Sequence, residues 1–421
     1  MKTEQNERYC WFHYVLLRVI IFLLFFINFG KAIGKNPDSL VRGNYRAEIT
    51  GYNGIKIPFL VEITRKGNQN TFILKNADEK IIASEIKYLG DSIFVTLPFF
   101  DAEFRLKSNK ENLSGYWVRY LPGKTKKYAL EIRKSESPRF KNYSSLINVT
   151  GLWEIMSEQR SHPNIGNFIQ EKNGKVTGSI LSVSGDDRYL EGQVSGDSLF
   201  LSTFDGAHAY LYTIKINPKN RSLTGLFYAA DNHPVIISGK FNPKAQLENV
   251  YDLTTLKEGL DTISFTFPDL QGKPVHYPNS ETHNKITIIQ FLGSWCPNCM
   301  DETRFLKSFY ETHKDKVSII GLAYERSRDI TKSTASVKKM SDRFGLKYPI
   351  LITGYSNAPK EVMESLPELK NYMAFPTMII LDKKGKVRKI HTGFSGPGTG
   401  IYYTNFTKEF DTLFQELELE N

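Results

Sequence analysis

The stretch that decides the fold of the C-terminal part of this 421-residue chain reads Phe291-Leu292-Gly293-Ser294-Trp295-Cys296-Pro297-Asn298-Cys299. It begins in a continuous apolar run, Ile286–Leu292, of the kind found in strands buried on both faces of a sheet. It continues into a segment from Pro297 to about His313 that is typical of a helix, with Phe305 and Phe309 on one face. The sequence therefore predicts two cysteines at the junction of a buried strand and a helix.

The two thiols have the spacing of a redox-active pair. A thiolate at a helix N-terminus is stabilised by the helix dipole and by free backbone N–H groups, which lowers its pKa below about 8.5. We expect Cys296 to be the exposed nucleophile that forms a mixed disulfide, and Cys299 to resolve it. Two ordinary buried cysteines are the alternative. A zinc site needs four ligands, and the third cysteine, Cys10, lies in the N-terminal segment, so no metal is expected.

The pattern around and after the pair is that of an α/β domain. The predicted elements are a β-hairpin at residues 263–275, strands at 317–324 and 348–352, a helix at 331–344, a strand pair at 377–381 and 387–391, and a last helix over 406–417. Gly345 follows the second helix, a position where glycine commonly ends helices. The order β-α-β-α-β-β-α predicts an α/β sandwich with a mixed sheet.

Three motifs in this part of the chain resemble thioredoxin-like proteins. Residues 291–299 are similar to the active-site stretch of that superfamily, and Phe375-Pro376-Thr377 before an apolar strand is similar to its cis-proline loop. Residues 269–275 resemble the N-terminal hairpin of the TlpA/ResA branch, the exported thiol–disulfide reductases of bacteria. The resemblance spans residues 255–421 and implies a C-terminal thioredoxin-like domain over residues 261–421.

The resemblance implies a role for each residue of the site. It implies that Cys296 is the attacking thiolate, that Cys299 is the resolving thiol, and that Trp295 shields their disulfide. It also implies that Pro376 follows a cis peptide bond, so that the backbone of Phe375 pairs with an extended substrate segment. A plain core tryptophan and an ordinary trans turn proline are the structural alternatives.

One departure from thioredoxin concerns the proton relay. Thioredoxin carries a buried aspartate six residues before its first cysteine, and this position is Gln290 here, which cannot titrate. Glu325 follows the second predicted strand, where the TlpA/ResA branch tends to carry a carboxylate near the cysteines. The resemblance therefore implies that Glu325 exchanges a proton with Cys299. A solvated loop glutamate beside Arg326 is the alternative.

The N-terminus has the pattern of an export signal. Basic residues precede an apolar run at residues 19–29, and Ala32 provides a small residue after it. The run is short for a membrane span, which needs about 20 residues. We interpret residues 1–32 as a signal peptide or an N-terminal membrane anchor, and either one would carry the rest of the chain across a membrane.

The region between this segment and the C-terminal domain has the pattern of two all-β modules. Short alternating segments are separated by turn residues, and no convincing helical period is present. Gly90-Asp91-Ser92 recurs as Gly196-Asp197-Ser198, and Glu48-Ile49 recurs as Glu154-Ile155 at the same offset of 106 residues. We predict a duplication, with modules at residues 37–145 and 146–245 and a linker at 246–260.

Composition disfavours one class of function, and the motifs with the resemblance they carry leave three functions to consider. The net charge is +10, but no run of five basic residues is present, which disfavours nucleic-acid binding. The favoured function is a thiol–disulfide oxidoreductase of the bacterial periplasm or cell envelope that reduces protein disulfides without a cofactor. Its partners would be a disulfide- or thiol-containing protein and a membrane or envelope electron donor. The alternatives are a thiol peroxidase, for which Ser294 is a poor substitute for the usual threonine, and a surface-binding protein with an accessory redox domain.

Overall fold

The computed structural model describes residues 40–98, 100–109, 111–141, 147–158, 162–230 and 232–420. The predicted signal peptide or anchor at residues 1–32 lies outside this part of the chain. Within the described residues, no helix has both the length and the apolar character that crossing a membrane requires.

The first β module is a nine-stranded antiparallel sheet in which β1 lies between β2 and β9 and the edges are β4 and β5. Its inward face is apolar because buried and partly exposed residues alternate along the strands, as in β3. The strands are β1 (Gly43–Thr50), β2 (Lys56–Lys66), β3 (Gln69–Asn76), β4 (Glu79–Ala83), β5 (Ile86–Leu89), β6 (Ser92–Thr96), β7 (Ala102–Asn109), β8 (Asn112–Leu121) and β9 (Lys124–Lys134).

The second β module is a closed barrel. Its strands are β10 (Gly151–Ser157), β11 (Asn164–Gln170), β12 (Lys175–Ser182), β13 (Gly185–Asp186), β14 (Leu190–Ser195), β15 (Ser198–Phe204), β16 (Ala209–Asn217), β17 (Ser222–Ala229) and β18 (Val235–Phe241). Because β11 pairs with both β10 and β12, and β10 pairs with β18, all of them except the short β13 form one antiparallel ring. Closure leaves this barrel without the unpaired edges of an open sheet.

The two modules share a strand order. In each, the chain runs up and down until its last strand pairs with its first. The repeated Leu-Ser/Thr-Gly step places Gly115 opposite Leu106 and Gly225 opposite Ile214. A Cβ at Gly115 would lie 2.0 Å from the carbonyl oxygen of Arg105, so the backbones meet where only glycine fits. The all-β prediction is confirmed, while an origin by duplication stays a prediction.

The C-terminal domain is a three-layer α/β domain. Its elements are β19 (Thr255–Leu256), β20 (Phe265–Pro268), β21 (Pro274–Tyr277), β22 (Ile286–Leu292), α1 (Pro297–His313), β23 (Val317–Glu325), α2 (Ile330–Phe344), β24 (Ile350–Ser356), α3 (Pro359–Ser365), β25 (Leu369–Asn371), β26 (Thr377–Leu381), β27 (Val387–Thr392) and α4 (Ile401–Leu419). Five strands form a mixed sheet in the order β24-β23-β22-β26-β27. The central strand, β22, is buried along its whole length, and separate apolar clusters cover the two faces of the sheet.

Two features of this domain were not predicted from the sequence. Helix α3 and the short strand β25 lie between β24 and β26, where the pattern indicated only a connection. Strand β25 pairs with β19, which falls inside the segment predicted as a linker. Part of the segment at residues 246–260 is thereby fixed to the C-terminal domain.

Candidate active site

The cysteine pair lies at the N-terminus of α1. Cys296 is the N-cap residue of the helix, and Pro297 occupies its first turn, where a missing N–H leaves no backbone partner unsatisfied. The two cysteines form a disulfide with their Cα atoms 5.2 Å apart. The backbone N–H of Cys299 donates to the sulfur of Cys296 over 3.2 Å, a contact that stabilises negative charge on that sulfur in the reduced state.

The turn before the pair is fixed by close contacts. The N–H of Cys296 donates to the carbonyl of Gly293 over 3.0 Å, which folds the chain back after β22. A Cβ at Gly293 would lie 2.2 Å from Nε1 of Trp295, so the indole packs directly over the turn. That indole N–H donates to the carbonyl of Tyr324 at the end of β23 over 3.0 Å. The indole N–H of Trp295 is therefore held by a hydrogen bond, and its ring packs against the cluster that contains both cysteines.

The proline loop lies against the same tryptophan. The bond between Phe375 and Pro376 is cis, and Pro376 is buried. The ring of Phe375 meets Trp295 edge-on, with centroids 5.6 Å apart. Because Thr377 pairs with Phe291 across β26 and β22, the sheet itself holds this loop next to the cysteine turn. The structure thus brings together Trp295, Phe375, Pro376 and the cysteine pair.

Glu325 ends β23 and is 8% exposed, so it does not lie in the solvated loop that was its alternative. Its carboxylate accepts hydrogen bonds from the N–H of Ser294 over 2.7 Å and from the Ser294 hydroxyl over 2.9 Å. Burial raises the pKa of Glu325, and the two bonds from Ser294 offset part of that effect. A carboxyl that titrates above its ordinary range thus fixes the turn that carries Cys296.

A second buried carboxyl, Glu302, was missed from the sequence. It lies on α1 one turn after Cys299, it is 0% exposed, and it accepts a 2.9 Å hydrogen bond from the Gln290 amide. Burial raises its pKa from 4.5 to about 8, so Glu302 is largely protonated at neutral pH. A signal existed, because Glu302, Leu306 and Phe309 follow the helical core spacing of i, i+4 and i+7.

Comparison with known proteins matches residues 257–403 to the Redoxin family. Thioredoxin-like protein YneN of Bacillus subtilis (strain 168) is 25% identical over 138 residues, 33% of this chain and 73% of that protein. Thiol-disulfide oxidoreductase ResA of Geobacillus kaustophilus (strain HTA426) is 27% identical over 141 residues, 33% of this chain and 72% of that protein. The C-terminal domain is a thioredoxin-like domain of the TlpA/ResA type. The chain is accordingly an oxidoreductase.

Among solved structures, a thiol:disulfide interchange protein of the thioredoxin family from Chlorobium tepidum TLS is 18% identical, with a TM-score of 0.29. The alignment covers 39% of this chain and 99% of that one. Within the described residues, no group of three or more His, Cys, Asp or Glu side chains is arranged to hold a metal ion.

Both β modules reach the cysteine pair of the thioredoxin-like domain. Phe100 of the first module and Ala207 of the second belong to the same apolar cluster as Cys296, which is 5% exposed. The expectation that Cys296 is exposed is therefore wrong, because the residue is buried in an apolar cluster to which both modules contribute. Asn298, between the cysteines, donates to the carbonyl of Asp186 in β13 over 3.2 Å, which ties the motif to the second barrel.

A buried arginine joins all three parts of the protein. Arg188 of the second module forms ion pairs with Glu79 of the first module and with Asp301 on α1. It also donates to the carbonyl of Pro297 over 3.1 Å. Burial, together with the charge of Asp301, raises the pKa of the neighbouring Asp186 to about 7. The active-site helix is thus held against both β modules by largely buried charges.

A cleft of about 470 Å³ opens beside the cysteine turn. The thioredoxin-like domain contributes Ser294, Trp295 and Glu325 to its walls, and the β modules contribute the chain around Phe100, the end of β8 and Ala207. Glu325 and Trp295 therefore line a space that is formed only when the modules and the domain are together.

Proposed function

We propose that this protein is a thiol–disulfide oxidoreductase of the bacterial cell envelope that reduces disulfides in proteins. The observation that carries the proposal is the disulfide at the N-terminus of α1, with one sulfur in contact with a helix N–H and a cis-proline loop beside it. A disulfide in this place alternates between oxidised and reduced states without a metal or an organic cofactor.

The reaction balances as two thiol–disulfide exchanges. In the reduced protein, the Cys296 thiolate attacks one sulfur of a substrate disulfide, which forms a mixed disulfide and releases the other substrate sulfur as a thiolate that takes a proton. Cys299 then loses its proton and attacks Cys296, which releases the second substrate thiol. The substrate gains two electrons and two protons, and the Cys296–Cys299 disulfide is restored. A dithiol electron donor of the envelope returns the pair to the reduced state.

Glu325 supplies a place for the proton that Cys299 must lose. Its pKa is raised by burial, which brings the carboxyl closer to the range in which it exchanges protons near neutral pH. Through Ser294 it also positions the turn before Cys296. We assign Glu325 both roles, proton exchange and positioning, and we assign Glu302 no contact with substrate.

Substrate recognition falls to the proline loop and Trp295. The backbone before Pro376 would pair with an extended segment of the substrate, as in other cases of strand addition. Trp295, held by Tyr324 and packed on Phe375, would shield the mixed disulfide from water. This mode suits a disulfide in a flexible segment, since such a segment can adopt the extended form.

The envelope location rests on residues 1–32, which we propose to be a signal peptide or a membrane tether. Labelling intact cells of a bacterial host with a membrane-impermeant thiol reagent, after mild reduction, checks it. Modification of the cysteine pair is the expected result, and labelling only after lysis would contradict the location.

The function is tested by the reduction of insulin by the full chain with dithiothreitol as electron donor. Cys296→Ser should abolish the catalysed rate, and Cys299→Ser should accumulate a mixed disulfide with the substrate. Cys10→Ser is the matched control and should leave the rate unchanged. An equal rate with and without Cys296 would contradict the proposal, and faster turnover of hydrogen peroxide than of disulfide would favour the peroxidase.

A further inference from the structure

The cleft beside the cysteine turn contains two arginines, one of which, Arg326, is attracted by the charge of Glu325. Arg119 at the end of β8 and Arg326 just after β23 both line it. Within the described part of the chain, neither guanidinium forms an ion pair with a carboxylate. The other charged groups that line the cleft are occupied: Lys332 pairs with Asp329, Asp101 pairs with Lys339, and Glu325 accepts from Ser294.

The two arginines act on each other across the junction of the first β module and the thioredoxin-like domain. Arg326 stacks over the ring of Trp295, with its guanidinium carbon 4.8 Å from the centroid. Arg119 lies over the ring of Trp117 at 5.2 Å. Partial desolvation and the like charge of Arg119 both lower the pKa of Arg326. An anion between them would relieve this repulsion.

The two arginines lie close to the turn that carries the cysteine pair. Trp295, on which Arg326 stacks, directly precedes Cys296 in the chain, and Ser294 of the same turn lines the cleft. A group bound by the arginines therefore lies in a cleft that the cysteine turn helps to line. Guanidinium groups match carboxylates because their N–H donors form paired, parallel hydrogen bonds.

We propose that Arg119 and Arg326 form a subsite for a carboxylate of the disulfide substrate. This proposal rests on the proposed function and adds a substrate class, namely disulfides flanked by an acidic group. It also assigns a task to the first β module, because Arg119 comes from that module and the subsite is incomplete without it. An acidic side chain of a peptide and the free carboxylate of a small disulfide share this chemistry.

The test compares matched substrates with the full chain and dithiothreitol as electron donor. One peptide carries a disulfide with a glutamate next to a cysteine, and its partner carries glutamine there; oxidised glutathione tests the small-molecule source. The wild type should reduce the glutamate peptide with a kcat/KM about tenfold higher, mostly through KM, as a charge-assisted hydrogen bond predicts. Arg119→Gln and Arg326→Gln should each remove that preference while the glutamine peptide is still reduced.

The matched control is Arg328→Gln. Arg328 lies on the same loop as Arg326 but pairs with Glu361 and does not line the cleft, so the preference should persist. Equal kcat/KM values for the two peptides in the wild type would overturn the proposal, as would a parallel loss on both peptides in the arginine variants. If the wild type reduces neither peptide, the proposed function itself fails. A preference for oxidised glutathione over the glutamate peptide that depends on both arginines would support the small-molecule source.

Discussion

Replacing Glu302 by glutamine should make the protein more stable, and by more as the pH rises. The carboxyl is 0% exposed, and burial raises its pKa from 4.5 to about 8 in the folded protein. In the unfolded chain it titrates near its ordinary value. Above that value the unfolded state releases a proton that the folded state retains, so rising pH favours unfolding.

The size of the expected change in stability follows from the difference between the pKa values of Glu302 in the folded and unfolded states. A tenfold difference in proton affinity is worth about 1.4 kcal/mol, so the ionisable carboxyl costs the folded state about 5 kcal/mol once the pH exceeds both pKa values. About 3 kcal/mol of this penalty appears as the pH rises from 5 to 8. Glutamine keeps the shape and still accepts from Gln290, but it has no proton to lose.

Urea denaturation of the oxidised wild type and Glu302→Gln, followed by circular dichroism at pH 5 and pH 8, measures this difference. The variant should gain about 3 kcal/mol more over the wild type at pH 8 than at pH 5. Glu311→Gln, an exposed position on the same helix, controls for the loss of a carboxyl as such. A wild-type-to-variant difference that does not change with pH would refute the reasoning, because it would mean that Glu302 does not hold a proton in the folded protein.

Three further predictions test the site and its supports. Glu325→Gln should lower kcat for disulfide reduction about a hundredfold and flatten its pH profile, because it removes the group to which we assign proton exchange; an unchanged profile would leave Glu325 with positioning alone. Arg188→Met should cost about 3 kcal/mol in urea denaturation, since it removes the partner of the buried Glu79 and leaves the buried Asp301 with Arg304 alone. Gly192→Ala should destabilise the second barrel, because its Cβ would lie 1.7 Å from the carbonyl oxygen of Phe200. Gly196→Ala has open space and only the smaller strain of a left-handed φ of +60°, so it should cost less in the same thermal-unfolding assay.

The local elements of the thioredoxin-like domain could be predicted because their signals are local. The run Ile286–Leu292 is apolar at all but two positions and became the fully buried β22, and the stretch from Pro297 to His313 became α1. Helix α3 escaped because seven residues give too short a period to recognise. Glu302 escaped for another reason: a charged residue type conceals a core position until the neighbouring spacing is considered.

The architecture of the β region, and the residues that the β modules bring to the site, depend on contacts between residues far apart in sequence. Closure of the second barrel follows from β11 pairing on both of its sides, which no turn or alternation pattern indicates. Arg188 and Asp301 are 113 residues apart in sequence, and each looks like an ordinary surface charge in its own segment. The same holds for Arg119, which comes close to Arg326 only once the first module is placed.

The burial of Cys296 bears on which disulfides can reach it under the proposed function. Cys296 is 5% exposed in an apolar cluster that includes Phe100 and Ala207, so a rigid disulfide inside a compact protein would reach it poorly. A chain that has not yet acquired its tertiary structure offers its disulfides on thin, pliable segments that fit the remaining opening. Under the proposed function, this burial would favour disulfides on extended, flexible segments over disulfides held inside compact folds.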